Sequence, residues 1–491
     1  MEDWNKSGLF LPAEKKELRL CGAVAIIFVF LVDFLLFGGF YLGFAIAAGL
    51  SVIAATIYLL RSGCRLTFYS GALLVMSLVI AASFVRSNDA FIKLVMFGFL
   101  LLSAGLGLTL LAGQNRWSPA GILSLLDMPR TFLKFGLGNL TGALAGLNMA
   151  RKSAGSAGKK RMAVLSGLVV AVPIVVILIP LLISADAAFE GLVKLFPKVN
   201  FGEPVAAIVL GIPAGCVFYA MLVALKHCPK AEVSQKEQAG KSALTVNTVL
   251  GTVCGVYMVY LISQLAYVSG GLSGILPEQY TMAEYARRGF FEMAALSVIN
   301  LLLMTVAASL VERKNGLAPL ATRCLLLFIG LMTLFFVVSA SAKMGMYIES
   351  YGLTRLRVLT EVIMVFIGLT VICVSVWLFL PKLPYMKVVL LMALVIGAAV
   401  AWADVDTVVA SYNVKAYQEG RLAHTDVYYL GTLSEGAIPY LAQLREDENP
   451  QIAEAAELAL KHYRNHSASK DFRSFRLTGA KAQQILEEYL Q

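Results

Sequence analysis

The chain has 491 residues, 58% of them hydrophobic, with a mean hydropathy of +0.75 and a formal net charge of +10. Soluble domains are about half apolar, so this composition excludes a string of ordinary soluble domains. Nor does the basic excess point to nucleic acid, because none of the 41 Lys and Arg falls inside an apolar run.

In chain order, residues 1–19 are polar and charged, and no A-x-A-like cleavage site follows them, so the first apolar run reads as a retained anchor. Eleven runs of about 20 residues are long enough to cross a bilayer as helices. They are predicted at 20–37, 40–60, 66–85, 94–112, 162–183, 204–225, 244–268, 293–311, 324–342, 358–380 and 388–403. With the N-terminus cytoplasmic, the inner loops hold 23 Lys and Arg, the outer loops 9, and the tail after 404 the remaining 9. This excess is the positive-inside pattern, and an odd number of spans then places the tail outside the cytoplasm. Trp117, Trp377 and Trp402 lie near predicted interfaces, where aromatic belts form. The seven Cys fall in spans or on the inner side and read as small apolar residues, with no disulfide framework.

The predicted fold is all-α, a polytopic membrane helix bundle of about eleven spans with a small polar helical domain at the C-terminus. Its parts are a cytoplasmic N-terminus (1–19), a four-span bundle (20–112), an inner interfacial segment (113–161), a seven-span bundle with polar outer loops (162–404) and an extracytoplasmic helical tail (405–491). In the inner segment Ser118-Pro119 makes a helix start, followed by an amphipathic run of Ile122, Leu126, Phe132 and Leu133. Gly138, Gly142 and Gly146 form a small-residue stripe suited to a membrane-protein partner. Arg151, Lys152, Lys159, Lys160 and Arg161 suit anionic lipid headgroups. A helix pair packed under the bundle explains the same pattern. In the tail, Asn449-Pro450 caps one amphipathic helix (Ile452, Ala456, Leu460, Tyr463), and Ala482, Ile485, Leu486 and Tyr489 mark another.

Catalytic and cofactor motifs are missing from the sequence. Gly240-Lys241-Ser242 lacks the earlier glycine of a phosphate-binding loop, since Gln235 stands there, and His227-Cys228 alone does not make a metal site. What remains is a set of ionisable residues at the predicted outer ends of spans: Asp33, Asp186, Glu284, Arg287, Lys343, Glu349, Arg355, Arg357 and Glu361. Charges at membrane depth are costly and mark candidate sites. A structural explanation competes, because Arg357 with Glu361 and Arg288 with Glu292 are spaced i, i+4 and can neutralise each other. Asp33 has no nearby Lys or Arg, so it needs a partner from another span or a proton. Asn300 and Gln264 read as interhelical hydrogen-bond formers.

Three segments carry a resemblance: Ala283–Glu292 (AEYARRGFFE), Tyr347–Arg357 (YIESYGLTRLR), and Asn413-Val-Lys-Ala-Tyr with Asp426 and Tyr429–Pro439 (YLGTLSEGAIP). Together they resemble the bacterial multi-pass membrane families numbered 4153 and 4173 among domains of unknown function. That resemblance implies a bacterial cell-membrane protein with many spans and a short polar tail, and it supplies no activity or catalytic residues. The preferred reading is non-enzymatic binding, transport or sensing of an envelope solute or lipid through an outer polar cavity. The alternatives are an intramembrane enzyme acting on a lipid-linked substrate at the outer leaflet, with Asp33, Asp186 or Glu361 as base and Arg355 or Arg357 on phosphate, and an assembly partner of another membrane protein.

Overall fold

A computed structural model describes residues 15–86, 89–118, 121–140, 178, 182, 202–227, 242–270, 282–312, 317–466, 473 and 475–489. The span expected over 162–183 lies, but for two positions, outside the described residues. So do Asp186, Gly142, Gly146, the basic cluster 151–161 and the Gly240-Lys241 motif. The described chain is helical, and nine of its helices are long and apolar enough to cross a membrane. Helices suit that setting because every backbone polar group inside lipid must be satisfied within the segment. The chain forms two compact units, the first from 1–118, 123–234 and 466–481, the second from 119–122, 235–465 and 482–491.

In the first unit, α1 (Lys15–Asp33) continues into a π-turn, Phe34–Gly38, and α2 (Leu42–Arg61), α3 (Phe68–Ser83) and α4 (Ala90–Leu111) follow. Thr67 and Ser70 form a reciprocal capping box at the start of α3, and the Asp89 carboxylate caps α4 by accepting from the Ile92 N–H at 2.7 Å. At 16 residues, α3 is shorter than the run predicted at 66–85. The segment 121–140 contains α5 (Asp127–Thr131) followed by a π-turn, Phe132–Leu137. Its Leu126, Phe132 and Leu133 point outward while Phe135 is buried.

The helix Gly202–His227, α6, packs antiparallel on α1. Gly211 and Gly215 set that contact. A Cβ built on Gly211 would stand 2.5 Å from the Val29 Cα, and one on Gly215 2.9 Å from the Ala25 Cα. This is the close backbone approach that small residues at i, i+4 permit. At one end of the unit Leu59, Leu111, Phe135, Leu222 and Leu225 share a core, and Phe40, Phe44, Phe84 and Phe97 stack at the other.

The second unit begins with the apolar helices α7 (Ala243–Gly270), α8 (Met282–Leu310), α9 (Leu320–Tyr351), α10 (Arg355–Phe379) and α11 (Tyr385–Ala403). Their core centres on Leu250, Met304, Leu326, Ile329 and Val371. Asn300 is fully buried and accepts the Tyr257 hydroxyl, as its reading as an interhelical bond former requires, and Thr322 donates to Asn247 at 2.6 Å. The Gln264 side chain lies outside the described residues. With 32 residues, α9 overruns the predicted 324–342, so the charged stretch after Ala342 continues the helix instead of forming a loop. At 1.5 Å per residue it is about 48 Å long, against a hydrocarbon core of about 30 Å.

Beyond α11 lie α12 (Val405–Gln418), α13 (Val427–Gly431), α14 (Ile438–Leu444) and α15 (Pro450–His466), with α16 (Leu477–Tyr489) last. The two amphipathic helices expected from the tail are α15 and α16. Asp404 joins α11 to α12 at φ 55°, the one non-glycine residue with positive φ among those described. It is 2% exposed, and its carboxylate accepts from the Thr407 hydroxyl at 2.5 Å.

Candidate functional site

The charged residues of the second unit gather where the α9–α10 turn meets α12–α15. Gly352 ends α9 at φ 74°, a conformation that costs glycine little, and a Cβ there would stand 2.6 Å from the Asn413 Oδ1. The Asn413 amide clamps Leu353 from both sides. Its Oδ1 accepts the Leu353 N–H at 2.6 Å, and its Nδ2 donates to the Leu353 carbonyl at 2.8 Å. Thr354 then caps α10 by accepting the Arg357 N–H.

Arg355 follows directly. Its Nε and Nη2 donate to the two Asp406 oxygens at 2.6 and 2.7 Å, a planar fork on a carboxylate that is 1% exposed. The Ser434 N–H also donates to Asp406, at 2.7 Å, and the Arg355 N–H donates to the Tyr429 hydroxyl at 2.9 Å. Two of the three segments that carried the resemblance, Tyr347–Arg357 and the stretch from Asn413 to Pro439, therefore converge on one buried knot. Arg355, left without a local explanation by the sequence, is an ion-pair partner here.

Tyr463 completes the knot, its hydroxyl donating to the Leu433 carbonyl. Burial, with the negative Asp406 and Glu435 nearby, pushes the Tyr463 phenol well above its ordinary value, and burial also raises Tyr429. Above about pH 10 an unfolded tyrosine loses its proton while these two keep theirs, so the folded state binds more protons and stability falls as pH rises. Tyrosinate absorbance is therefore expected to include a cooperative alkaline step above pH ~10 that shrinks in Tyr463→Phe. A smooth titration unaffected by that substitution contradicts the burial.

Arg357 departs from the expected pairing. Its Nη1 donates to the Tyr351 carbonyl at 3.1 Å and to the Gly352 carbonyl, and its guanidinium lies 4.2 Å over the Tyr347 ring. Open carbonyls at the end of α9 and an aromatic face attract it more than Glu361 does. Among the described residues, Glu361 forms no ion pair, and its Oε1 is buried without a hydrogen-bond partner. Lys343 on α9 is four residues before Tyr347, and Glu361 on α10 four residues after Arg357, so each lies one helical turn from the Tyr347–Arg357 stack. The Lys343 side chain fills the space that Gly289 leaves on α8. Arg287 and Glu349 are exposed, the Glu284 side chain lies outside the described residues, and Arg288 pairs with Glu292 at 3.0 Å as the spacing predicted.

Asp33 belongs to the first unit. The Arg473 Nη1 lies 3.5 Å from its Oδ1 and 3.2 Å from the Glu203 Oε2. The partner of Asp33 thus comes from the tail, not from another span. Sequence reasoning missed Asp404, Asp406, Glu203, Tyr463 and Arg473. Two acids immediately after the run 388–403 were a usable signal for Asp404 and Asp406, whereas nothing local marks Arg473. Residues 114–130 hold a smaller knot. Asp127, 1% exposed, accepts the Arg116 and Trp117 N–H groups at 2.9 and 3.3 Å and lies 3.6 Å from Arg130, yet burial still raises its pKa. No cluster of three or more metal-ligating side chains occurs among the described residues.

No curated protein and no solved structure matches the chain. The family model described as domain of unknown function DUF4153 matches residues 72–444, about three quarters of the chain, including the α9–α10 turn, Asp406 and Tyr429. On that match the chain belongs to the DUF4153 family, as a polytopic helical membrane protein.

Proposed function

We propose that this is a bacterial cell-membrane protein that binds, moves or senses an envelope solute or lipid without covalent chemistry, at the polar helix ends of the second unit. The observation that carries the reading is Glu361, whose Oε1 is buried and unpartnered one helical turn from Arg357. A buried polar atom left unsatisfied costs about 1–3 kcal/mol, and more for a carboxylate such as Glu361 than for an amide or hydroxyl. The Tyr347–Arg357 stack one turn away gives the site a rigid rim, and the α12–α15 domain is knotted to the same turn. The enzymatic alternative loses two of its candidates, because Arg355 is taken up by Asp406 and Asp33 by Arg473, and keeps Glu361 as its base. Orientation follows the charge asymmetry, with the N-terminus cytoplasmic and the tail outside.

Glu361→Gln tests the site. Thermal unfolding of the purified protein would be followed with amino acids, sugar phosphates and phosphatidylglycerol as probes. At least one probe class is expected to stabilise the unsubstituted protein and to lose that effect in Glu361→Gln, while the probe-free variant melts at the same or a higher temperature. A lower probe-free melting temperature would mean that the carboxylate holds the structure together, and the reading fails.

A further inference from the structure

Arg473 and residues 475–478 cross one end of the first unit and touch four of its helix termini. Arg473 sits between Asp33, at the end of α1, and Glu203, at the start of α6. The Phe475 carbonyl accepts the Leu42 N–H at 3.3 Å, a first-turn group of α2 with no acceptor inside its own helix. Arg476, 7% exposed, places its guanidinium 5.0 Å over the Tyr41 ring, on which the Lys93 ammonium also rests at 3.5 Å. Past α3, the Leu477 N–H donates to the Val85 carbonyl and the Thr478 hydroxyl to the Arg86 carbonyl, both at 3.0 Å.

Phe475 is 42% exposed and Leu477 41%, so neither is a core residue, and the contacts of the segment are mostly polar: hydrogen bonds, the Arg473 ion pairs and Arg476 over Tyr41. The Asp33, Glu203 and Arg473 side chains are 18, 28 and 25% exposed, within reach of competing water and salt. Segments with few buried apolar contacts and accessible polar bonds open well below the free energy of global unfolding. We infer that Arg473–Thr478 is a detachable strap, and that this end of the first unit is a docking surface for a cationic segment, occupied in cis by the chain's own tail. Asp33 and Glu203 read the Arg473 guanidinium, and the freed groups of the helix ends read the backbone beside it. This inference does not depend on the Glu361 site, which lies in the other unit.

The test uses full-length protein in detergent carrying Thr478→Cys, with maleimide labelling corrected for the native cysteines by the parent protein. When opening is fast, the labelling rate follows the open population, so Arg473→Glu is expected to raise it about tenfold or more. Adding Asp33→Arg to that variant is expected to slow it again, by restoring the pair with reversed charges. A synthetic peptide of residues 471–481 in excess should speed labelling of the unsubstituted strap severalfold, and the same peptide with Arg473→Glu should not. Labelling unchanged by Arg473→Glu, or by the unsubstituted peptide, overturns the inference.

Discussion

Arg355→Ala is expected to cost about 3 kcal/mol and to release the α12–α15 domain from the α9–α10 turn, because it strands Asp406 as a buried charge. Asp406 is 1% exposed and would keep only the Ser434 N–H of its three strong donors. The Arg355 side chain is 33% exposed, so solvent screens the pair from that side and the low end of the usual 3–5 kcal/mol range applies. Asp406→Ala should be comparable, since it removes acceptors from both the guanidinium and the Ser434 backbone. The informative variant is the double substitution Arg355→Met with Asp406→Leu. Replacing both members by apolar residues of similar size leaves no orphaned charge, and it should recover much of the loss. Limited proteolysis between α11 and α15, read beside thermal unfolding, separates local release of the domain from global failure. If the double substitution is worse than either single one, the pair acts through more than charge neutralisation.

Gly211→Leu is expected to abolish the α1–α6 contact and, with it, a stably folded first unit. The Cβ alone would sit 2.5 Å from the Val29 Cα, an atom of a helix backbone that cannot swing aside like a side-chain tip. Relief requires the helices to separate along their shared length, which forfeits the packing of Val24, Tyr219 and Val223 as well. Overpacking typically costs about 1–3 kcal/mol where side chains can adjust, and a backbone clash should reach or exceed the top of that range. Gly255→Ala on α7 is the control. Nothing lies within 4 Å of its Cβ position, so it should be neutral or stabilise the helix by up to about 1 kcal/mol. Monodispersity after detergent extraction distinguishes the two, and equal behaviour of Gly211→Leu and Gly255→Ala would show that α1 and α6 are not in backbone contact.

Most of the architecture was legible in the sequence, for a physical reason. A membrane span must be apolar over about 20 consecutive residues, and that demand is local. Helix ends read from caps and charges also held, as at Pro450, yet α9 ran nine residues past its predicted end. Its last turns are polar enough to resemble a loop, but Arg357 and Asn413 supply partners at the turn that keep Gly352 as the true terminus. Local spacing succeeded for Arg288 with Glu292 and failed for Arg357 with Glu361. An i, i+4 pair contributes about 0.2–0.5 kcal/mol, less than exposed carbonyls and an aromatic face offer a guanidinium next to a turn.

By itself the sequence determined the class of protein, the positions of the apolar helices, the polar helical tail and the set of charged residues in need of explanation. The tertiary structure alone decided how those charges are used. Arg355 met Asp406 across 51 positions, and Arg473 came from 440 positions away to satisfy Asp33. Glu361 was left with a buried, unpartnered oxygen. Apolar length and helical period are properties of neighbours in the chain, whereas the partner of a buried charge is set by which helix ends the fold brings together.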